Sequence, residues 1–295
     1  MRRIIPLLAM LMVFAMAPSV SAAHYANTDL YTVDLETGAL ELVGEIGEGE
    51  TLIGFALVAP SDTVGAAVGL TLENELVMFD VSSPETIDGR MDVTGLMDED
   101  LLVGIDFRPA TGELMAIGEM SVVYSIDTES GEATAVADGP FDPVLEDRIL
   151  AFDFNPTVDR IRVDVSTTQN LRLNPETGLV GINPDTDEPT IDGNTVYAEG
   201  DDNADVTPRV VAAAYTENMD GAETTELFAF DAEANTFALQ DPPNDGVLNT
   251  IATVDVTIVD ETSFDIAPTG EAYASIPRLV DGEGTPVATP VALVD

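Results

Sequence analysis

Three aspartates are the residues of this chain whose type and spacing could do chemistry. Asp106, Asp153 and Asp265 occupy the same place in three similar segments, GIDFRP, AFDFNP and SFDIAP. Side chains at equivalent positions of a repeated structure can converge on its axis, and converging carboxylates suit a hard cation such as Ca²⁺, which takes about 6–8 oxygen ligands. The alternative is that each Asp accepts a hydrogen bond within its own turn, which is a common role for Asp. The sequence thus makes these three residues a candidate metal site, with Ca²⁺ as the candidate cofactor.

Three arginines form the second candidate site. Arg160 and Arg162 alternate with Ile161 and Val163, so both should lie on one face of a strand, and Arg172 belongs to the next strand. Because a guanidinium group binds a carboxylate through two hydrogen bonds, these residues could form an anion- or ligand-binding subsite. The other interpretation is a network with buried Asp between neighbouring sheets. Both interpretations remain open on the residues alone.

Other kinds of site lack the residues that they need. His24 is the only histidine and there is no cysteine, so a Ser-His-Asp or Cys-His site has no base within the folded repeats. Zinc and copper sites lack ligands for the same reason. The acidic stretch around Asp185, Asp187 and Glu188 lacks the spacing of a calcium-binding loop and is predicted to be a solvated surface loop.

The charge is strongly negative. The chain has 55 acidic residues against 10 basic ones, all of them arginine, which gives a net charge of −45. Such a surface repels nucleic acid and anionic lipid, because binding to phosphates depends on Lys and Arg. A saline habitat and bound divalent cations are two explanations of this acidity. The 45% apolar content and the regular strand pattern argue against disorder.

Residues 1–23 have the pattern of a secretory signal. Two arginines precede an apolar run at 4–17, and small residues follow at 19–23, with a cleavage site near Ala22 or Ala23. No second apolar run is long enough to span a membrane. We therefore expect an exported protein, periplasmic or extracellular, without membrane insertion.

Two alternating repeats predict the architecture. One is a five-residue turn with Asp or Asn first and Gly or Asn last, as in Asp34–Gly38, Asp127–Gly131, Asn174–Gly178 and Asp231–Asn235. The other is the strand that carries the three aspartates, and it recurs about every 50 residues. Helical periodicity is missing after the signal segment. The fold class is therefore all-β, a β-propeller of four-stranded blades.

The two ends of the chain are predicted to share one blade. Residues 263–276 supply a single hairpin, and residues 29–46 form a second hairpin that lacks a partner. With blades at 52–95, 101–137, 149–182 and about 196–239, the shared blade makes five, or six if 279–294 add strands. We expect one domain over 24–295, in which 277–295 form a weakly structured tail or extra strands.

Several segments resemble a known family. They are GIDFRPATGEL, FDFNPTVDRIRV, TQNLRLNPETG, RVVAAAYT and FALQDPPNDGVLNTIA. Together they are similar to the bacterial family called domain of unknown function 4394, over roughly residues 30–276. The resemblance implies an exported, repeat-built protein and assigns no activity. In this chain the segment LYTVDLETGALELVG stands at the start instead of near the end, which in a closed ring is a permutation.

Function is weakly constrained by such a fold. Our first hypothesis is an exported, non-catalytic binding or scaffold propeller that meets an unknown protein or surface ligand, is stabilised by calcium and is monomeric. The alternative is a metal-dependent hydrolase, lactonase or lyase, whose cation is held at the propeller channel by the three aspartates. The lack of Trp and the low aromatic content weaken the case for sugar stacking.

Overall fold

The structure is a computed structural model that describes residues 24–47, 49–58, 65–181 and 190–280. The predicted signal segment and most of the predicted tail, from residue 281, lie outside these ranges. Within them, no helix has the length and apolar character needed to cross a membrane.

The strands form five antiparallel sheets arranged as the blades of a propeller, which confirms the predicted fold class. Blade one contains β3 (Leu52–Leu57), β4 (Ala66–Thr71), β5 (Glu75–Asp80) and β6 (Ile87–Asp92). Blade two contains β7 (Leu102–Phe107), β8 (Leu114–Gly118), β9 (Val123–Ile126) and β10 (Ala133–Ala135). Blade three contains β11 (Leu150–Asn155), β12 (Arg160–Val165), β13 (Asn170–Asn174) and β14 (Leu179–Val180). Blade four contains β15 (Val196–Tyr197), β16 (Val210–Tyr215), β17 (Leu227–Asp231), β18 (Thr236–Gln240) and β19 (Val247–Thr253). Blade five contains β1 (His24–Val33), β2 (Leu40–Glu45), β20 (Ser263–Ile266) and β21 (Ala272–Val280).

Blade five is built from both ends of the chain, as predicted. Its strand order is β2-β1-β21-β20, so the N-terminal strand β1 lies between its neighbour in sequence and a strand from the far end of the chain. Leu30 lies opposite Ser275, and Val33 lies opposite Ala272. The ring is thus closed by ordinary antiparallel pairing between the two ends.

Blade four extends further than the sequence predicted. Its innermost strand is β16 and its sheet runs from Val196, in β15, to Thr253, so the predicted range of about 196–239 ends too early. The two residues of β15 pair in parallel with β19 at the outer edge of this blade. Residues 241–246 connect β18 to β19 through a short 3-10 turn at Pro243–Asp245.

The innermost strands β3, β7, β11, β16 and β20 surround the axis, and each contacts the next in a closed cycle. They are buried on both faces, which explains why segments such as LVGIDF and VVAAAY carry apolar or small residues without alternation. Small residues permit close approach of the blades: a Cβ atom added to Gly104 would lie 2.8 Å from Cβ of Phe152 in the next blade.

Apolar side chains fill the space between blades. Between blades four and five, Phe230 packs edge-to-face on Phe264 with ring centroids 5.2 Å apart. Phe237 joins the same cluster, 4.9 Å from Phe230. Such aromatic pairs add about 0.5–1.5 kcal/mol to the burial of their surface. The core of this fold is therefore a ring of interfaces between sheets.

Candidate functional site

The structure brings the three predicted aspartates together. Asp106 lies on β7, Asp153 on β11 and Asp265 on β20, each near the carboxyl end of the innermost strand of its blade. One carboxylate oxygen of each residue lies within 4.8 Å of the others. The three residues are at most 2% exposed. We call this group the aspartate ring.

Each ring aspartate reaches across to the next blade. Asp106 Oδ2 accepts a hydrogen bond of 2.9 Å from the backbone N–H of Phe154, in blade three. Asp153 Oδ1 accepts one of 2.9 Å from Tyr215, in blade four. Asp265 Oδ2 accepts one of 2.6 Å from Leu57, in blade one. The three cross-blade partners lie outside each residue's own turn, whereas Asp106 and Asp265 also accept a local hydrogen bond, the alternative considered from the sequence, from the residue that follows each of them.

Blades one and four have no aspartate at the equivalent position of their innermost strands. Ala56 and Ala214 occupy that position, each directly before the residue whose backbone N–H donates to a ring aspartate. Two backbone N–H groups thus face a blade that offers them no carboxylate. Each is bonded instead by the aspartate that precedes it: Phe107 N–H donates to Asp106 Oδ1 at 2.7 Å, and Ile266 N–H donates to Asp265 Oδ1 at 2.6 Å. Three aspartates thereby satisfy one innermost N–H group in every blade.

Burial and mutual repulsion disfavour the ionised form of these carboxyls. Burial is the main cause that raises the pKa of Asp265 to about 7. The pKa values of Asp106 and Asp153 are raised well above the ordinary range, first by burial and then by neighbouring ring carboxylates. Two ionised groups at this separation repel by about 3 kcal/mol at an effective dielectric constant of about 20. The backbone N–H donors oppose this effect only in part.

The space along the propeller axis is small. The cavity between the innermost strands has a volume of about 20 Å³ and is lined by residues that immediately precede the ring, such as Ile105 and Phe264. A cavity of about 30 Å³ continues from it toward Arg148 and Glu261. Since one water needs roughly 10–15 Å³, this channel has room for a water or a small ion. The arrangement can hold protons or a small cation, and the cavity described next to it is too small for an organic substrate.

Of the three predicted arginines, Arg162 is fully buried between blades three and four. Its guanidinium group donates to Asp192 Oδ2 at 2.7 Å, to Asn244 Oδ1 at 2.7 Å and to the hydroxyl of Tyr215 at 3.3 Å. It also donates to the side chain of Asn170. These hydrogen bonds thus join β12, the strand that carries Arg162, to the segments around residues 192 and 244.

Arg172 and Arg160 lie nearer the surface. Arg172 donates to both carboxylate oxygens of Asp192, at 2.7 and 2.8 Å, so Asp192 neutralises two arginines. Arg160 donates to the backbone carbonyl oxygen of Asp159 at 2.7 Å. Arg160 and Arg172 line one open pocket, whereas Arg162 is not among its lining residues.

Sequence reasoning missed the polar partners of Arg162. The sequence offered a network with buried Asp as one interpretation, but it did not identify Asn170, Asn244 or Asp192 as the members of that network. A weak signal was present in the spacing, since Asn170 precedes Arg172 by two residues and so shares its side of β13. No comparable signal marks Asn244, which lies 82 residues from Arg162.

Comparison with known proteins confirms the family that the sequence resembles. No curated protein matches the chain. The family model described as domain of unknown function (DUF4394) matches residues 75–285, from the third strand of blade one to beyond β20 and β21, the two C-terminal strands of blade five. Because this match covers well over half of its residues, the chain belongs to the DUF4394 family.

Proposed function

We propose that this protein is an exported, non-catalytic binding or scaffold propeller, whose aspartate ring holds protons or a structural cation at the centre of the fold. The supporting observation is that the three carboxylates converge in a buried position while accepting backbone hydrogen bonds from neighbouring blades. Ca²⁺ is the candidate cation, because carboxylate and other oxygen ligands suit it. The signal-like sequence of residues 1–23 supports export.

The size of the channel favours a structural role for the ring. Pockets for small molecules commonly have volumes of about 300–1,000 Å³, whereas the cavity beside the ring has about 20 Å³. A general acid, a general base or a catalytic metal must reach the reacting atoms. Carboxylates enclosed in this way can stabilise the closed propeller without contacting a substrate.

A metal-dependent hydrolase, lactonase or lyase is the second candidate. The observation that favours it is the convergence of three carboxylates within 4.8 Å, which is a suitable start for a cation site. It would require the channel to open far enough to admit a substrate to the cation.

The first prediction concerns calcium. The thermal midpoint of the mature chain is measured in low salt with EDTA, low salt with millimolar Ca²⁺, high KCl with EDTA, and KCl with Ca²⁺. A cation that binds only the folded state with micromolar affinity stabilises it by about 4 kcal/mol at millimolar concentration. We expect a rise with Ca²⁺ that persists in KCl, because KCl screens only the exposed charges.

Asp153→Asn and Asp127→Asn form a matched pair for this experiment. Among the described hydrogen bonds, both aspartates accept backbone N–H groups through Oδ1 alone, which an Asn can also do. Asp127 lies in an exposed turn and is not one of the three converging aspartates. The calcium response should be lost in Asp153→Asn and kept in Asp127→Asn. Hydrolase, lactonase or lyase activity that needs Ca²⁺ and follows the same pattern would contradict the non-catalytic role and support the second candidate.

A further inference from the structure

A second, larger cavity lies away from the channel, in the outer part of blade three. It has a volume of about 350 Å³ and is lined by Arg160, Arg172, Asn174, Thr177 and Thr190, with Leu179 and Val180 beside them. Its size falls in the range of pockets for small molecules, about 300–1,000 Å³. We call it the arginine pocket.

The charge of the arginine pocket is opposite to that of the rest of the molecule. No acidic side chain is found among its described lining residues, although the chain carries 55 acids and 10 bases. A cavity of similar size in blade two, about 430 Å³, is lined by Glu113, Asp127, Glu129 and Glu132 and has no basic lining residue in the described chain. The described lining of the arginine pocket thus differs in charge from that of the blade-two cavity, and Arg160 is its cation without a described carboxylate partner.

Arg160 has a charge that is available to a ligand. Within the described ranges no carboxylate lies within 4.0 Å of its guanidinium group, which donates to the backbone carbonyl oxygens of Asp159 and Val158. Arg172 differs, because Asp192 holds it through two hydrogen bonds and leaves its side chain 28% exposed. The pocket thus combines one uncompensated cation with one that is fixed in position.

We propose that the arginine pocket binds a small organic carboxylate. Arg160 supplies the charged, two-pronged contact that planar carboxylates prefer. The hydroxyl groups of Thr177 and Thr190 are further donors in the lining, and Leu179 and Val180 offer apolar surface to the hydrocarbon part of the ligand. The inference rests on the binding role proposed above and gives it a ligand class. The pocket is separate from the aspartate ring, so its test can fail while the calcium experiment succeeds.

The experiment titrates the mature chain with succinate at constant ionic strength, by calorimetry. Arg160→Gln should weaken binding by about tenfold or more, the effect of losing hydrogen bonds to a charged group. Arg148→Gln is the matched control, since Arg148 is exposed, lies at the channel mouth and has no described carboxylate within 4.0 Å. It changes the net charge equally and should leave the succinate affinity within about twofold of the parent value. Thermal midpoints establish that both variants are folded.

Three results would overturn the proposal. Equal weakening by the two substitutions would mean that succinate responds to overall charge. Binding of sulfate without binding of succinate would assign the pocket to tetrahedral anions. Residues 182–189, between the lining residues Gly181 and Thr190, carry Asp185, Asp187 and Glu188 and lie outside the described structure. Succinate binding that occurs only after these acids are changed to amides would mean that the parent chain does not bind this ligand.

Discussion

At the scale of single residues, the three ring aspartates occupy equivalent positions but accept different numbers of hydrogen bonds. Asp106 and Asp265 each accept two backbone N–H groups, one on each oxygen. Asp153 accepts one from the described residues. An Asn in place of Asp keeps only one accepting oxygen. Substitution at Asp153 therefore removes a charge and keeps the hydrogen bond, whereas substitution at Asp106 loses a hydrogen bond as well.

The raised pKa values of the three ring aspartates predict how stability depends on pH in the absence of divalent cations. The folded-state pKa values of the ring are raised above the value of about 3.9 for an unfolded Asp. The folded chain therefore binds more protons than the unfolded chain between the two values. The contribution of the ring to stability is complete below about pH 4 and is lost as the pH rises through the folded-state pKa, about 7 for Asp265.

Asp153→Asn should reduce this loss. Between pH 5 and pH 8 in EDTA, we expect the free energy of unfolding of the parent to fall by about 1–3 kcal/mol more than that of the variant. Denaturant unfolding at a series of pH values measures the difference. Asp106→Asn should instead destabilise at every pH, by about 1–3 kcal/mol, because a buried N–H group loses its acceptor. Parallel pH profiles for the parent and Asp153→Asn would show that the ring does not hold protons.

The positions of the ring residues could be predicted from the sequence, but their bonding partners could not. The repeated strand motif identifies Asp106, Asp153 and Asp265 as equivalent, and equivalence around an axis implies convergence. Their acceptor roles depend on N–H groups 48, 62 and 208 residues away. From the local sequence alone, only N–H groups in the turn that follows each Asp can be suggested as its hydrogen-bond partners. The bond to the next blade comes from the packing of blades, which no short sequence pattern records.

At the scale of elements, the hairpin turns were predicted correctly because their chemistry is local. The glycines that end three of the predicted turns, Gly38, Gly131 and Gly178, have φ angles between 66° and 73°. Asn235 ends the fourth turn with φ of 55°. Asn is among the residues other than Gly that adopt this conformation most readily. The parallel pairing of β15 with β19 was not predicted, since two residues paired in parallel leave no pattern in the sequence.

Two of these glycines allow the cost of backbone strain to be distinguished from the cost of a steric clash when each is changed to alanine. Gly131 and Gly178 have similar φ angles, 73° and 66°. A Cβ atom at Gly131 would lie 2.3 Å from the carbonyl oxygen of Asp92, whereas the nearest atom to a Cβ at Gly178 is 3.3 Å away. Gly178→Ala should cost about 1–2 kcal/mol, the cost of the left-handed conformation alone. Gly131→Ala should cost clearly more, because the backbone of blade one must also move.

Denaturant midpoints of the two alanine variants test this prediction. A third variant, Gly139→Ala, serves as the control, because no atom lies within 4 Å of the Cβ position of Gly139. Its φ is not among the positive values. Equal losses at Gly131 and Gly178 would mean that the close contact with Asp92 relaxes without cost.

At the scale of the whole molecule, the five blades must close into a propeller although the chain carries a large negative charge. The net charge of −45 opposes compaction, and the innermost strands of the five blades contact one another in a closed cycle. Closure depends on β1, which pairs with β2 and β21 and buries Leu30 completely. Arg278 on β21 also donates to both carboxylate oxygens of Asp29 on β1. The two chain ends are therefore joined by strand pairing, apolar burial and an ion pair.

This arrangement predicts that the N-terminal hairpin can act as a separate piece. A chain that begins at residue 49 lacks β1 and β2, half of blade five, and exposes the edge of β21. We expect it to lose the cooperative unfolding transition, and a synthetic peptide of residues 24–46 to restore it by adding the two strands in trans. Circular dichroism during thermal unfolding, with and without the peptide, measures both effects.

A peptide with Leu30→Ala should bind about thirtyfold more weakly or worse, since removal of a fully buried Leu side chain costs about 2–5 kcal/mol. A truncated chain that unfolds at the same midpoint as the full chain would mean that four blades suffice and that the shared blade does not stabilise the ring.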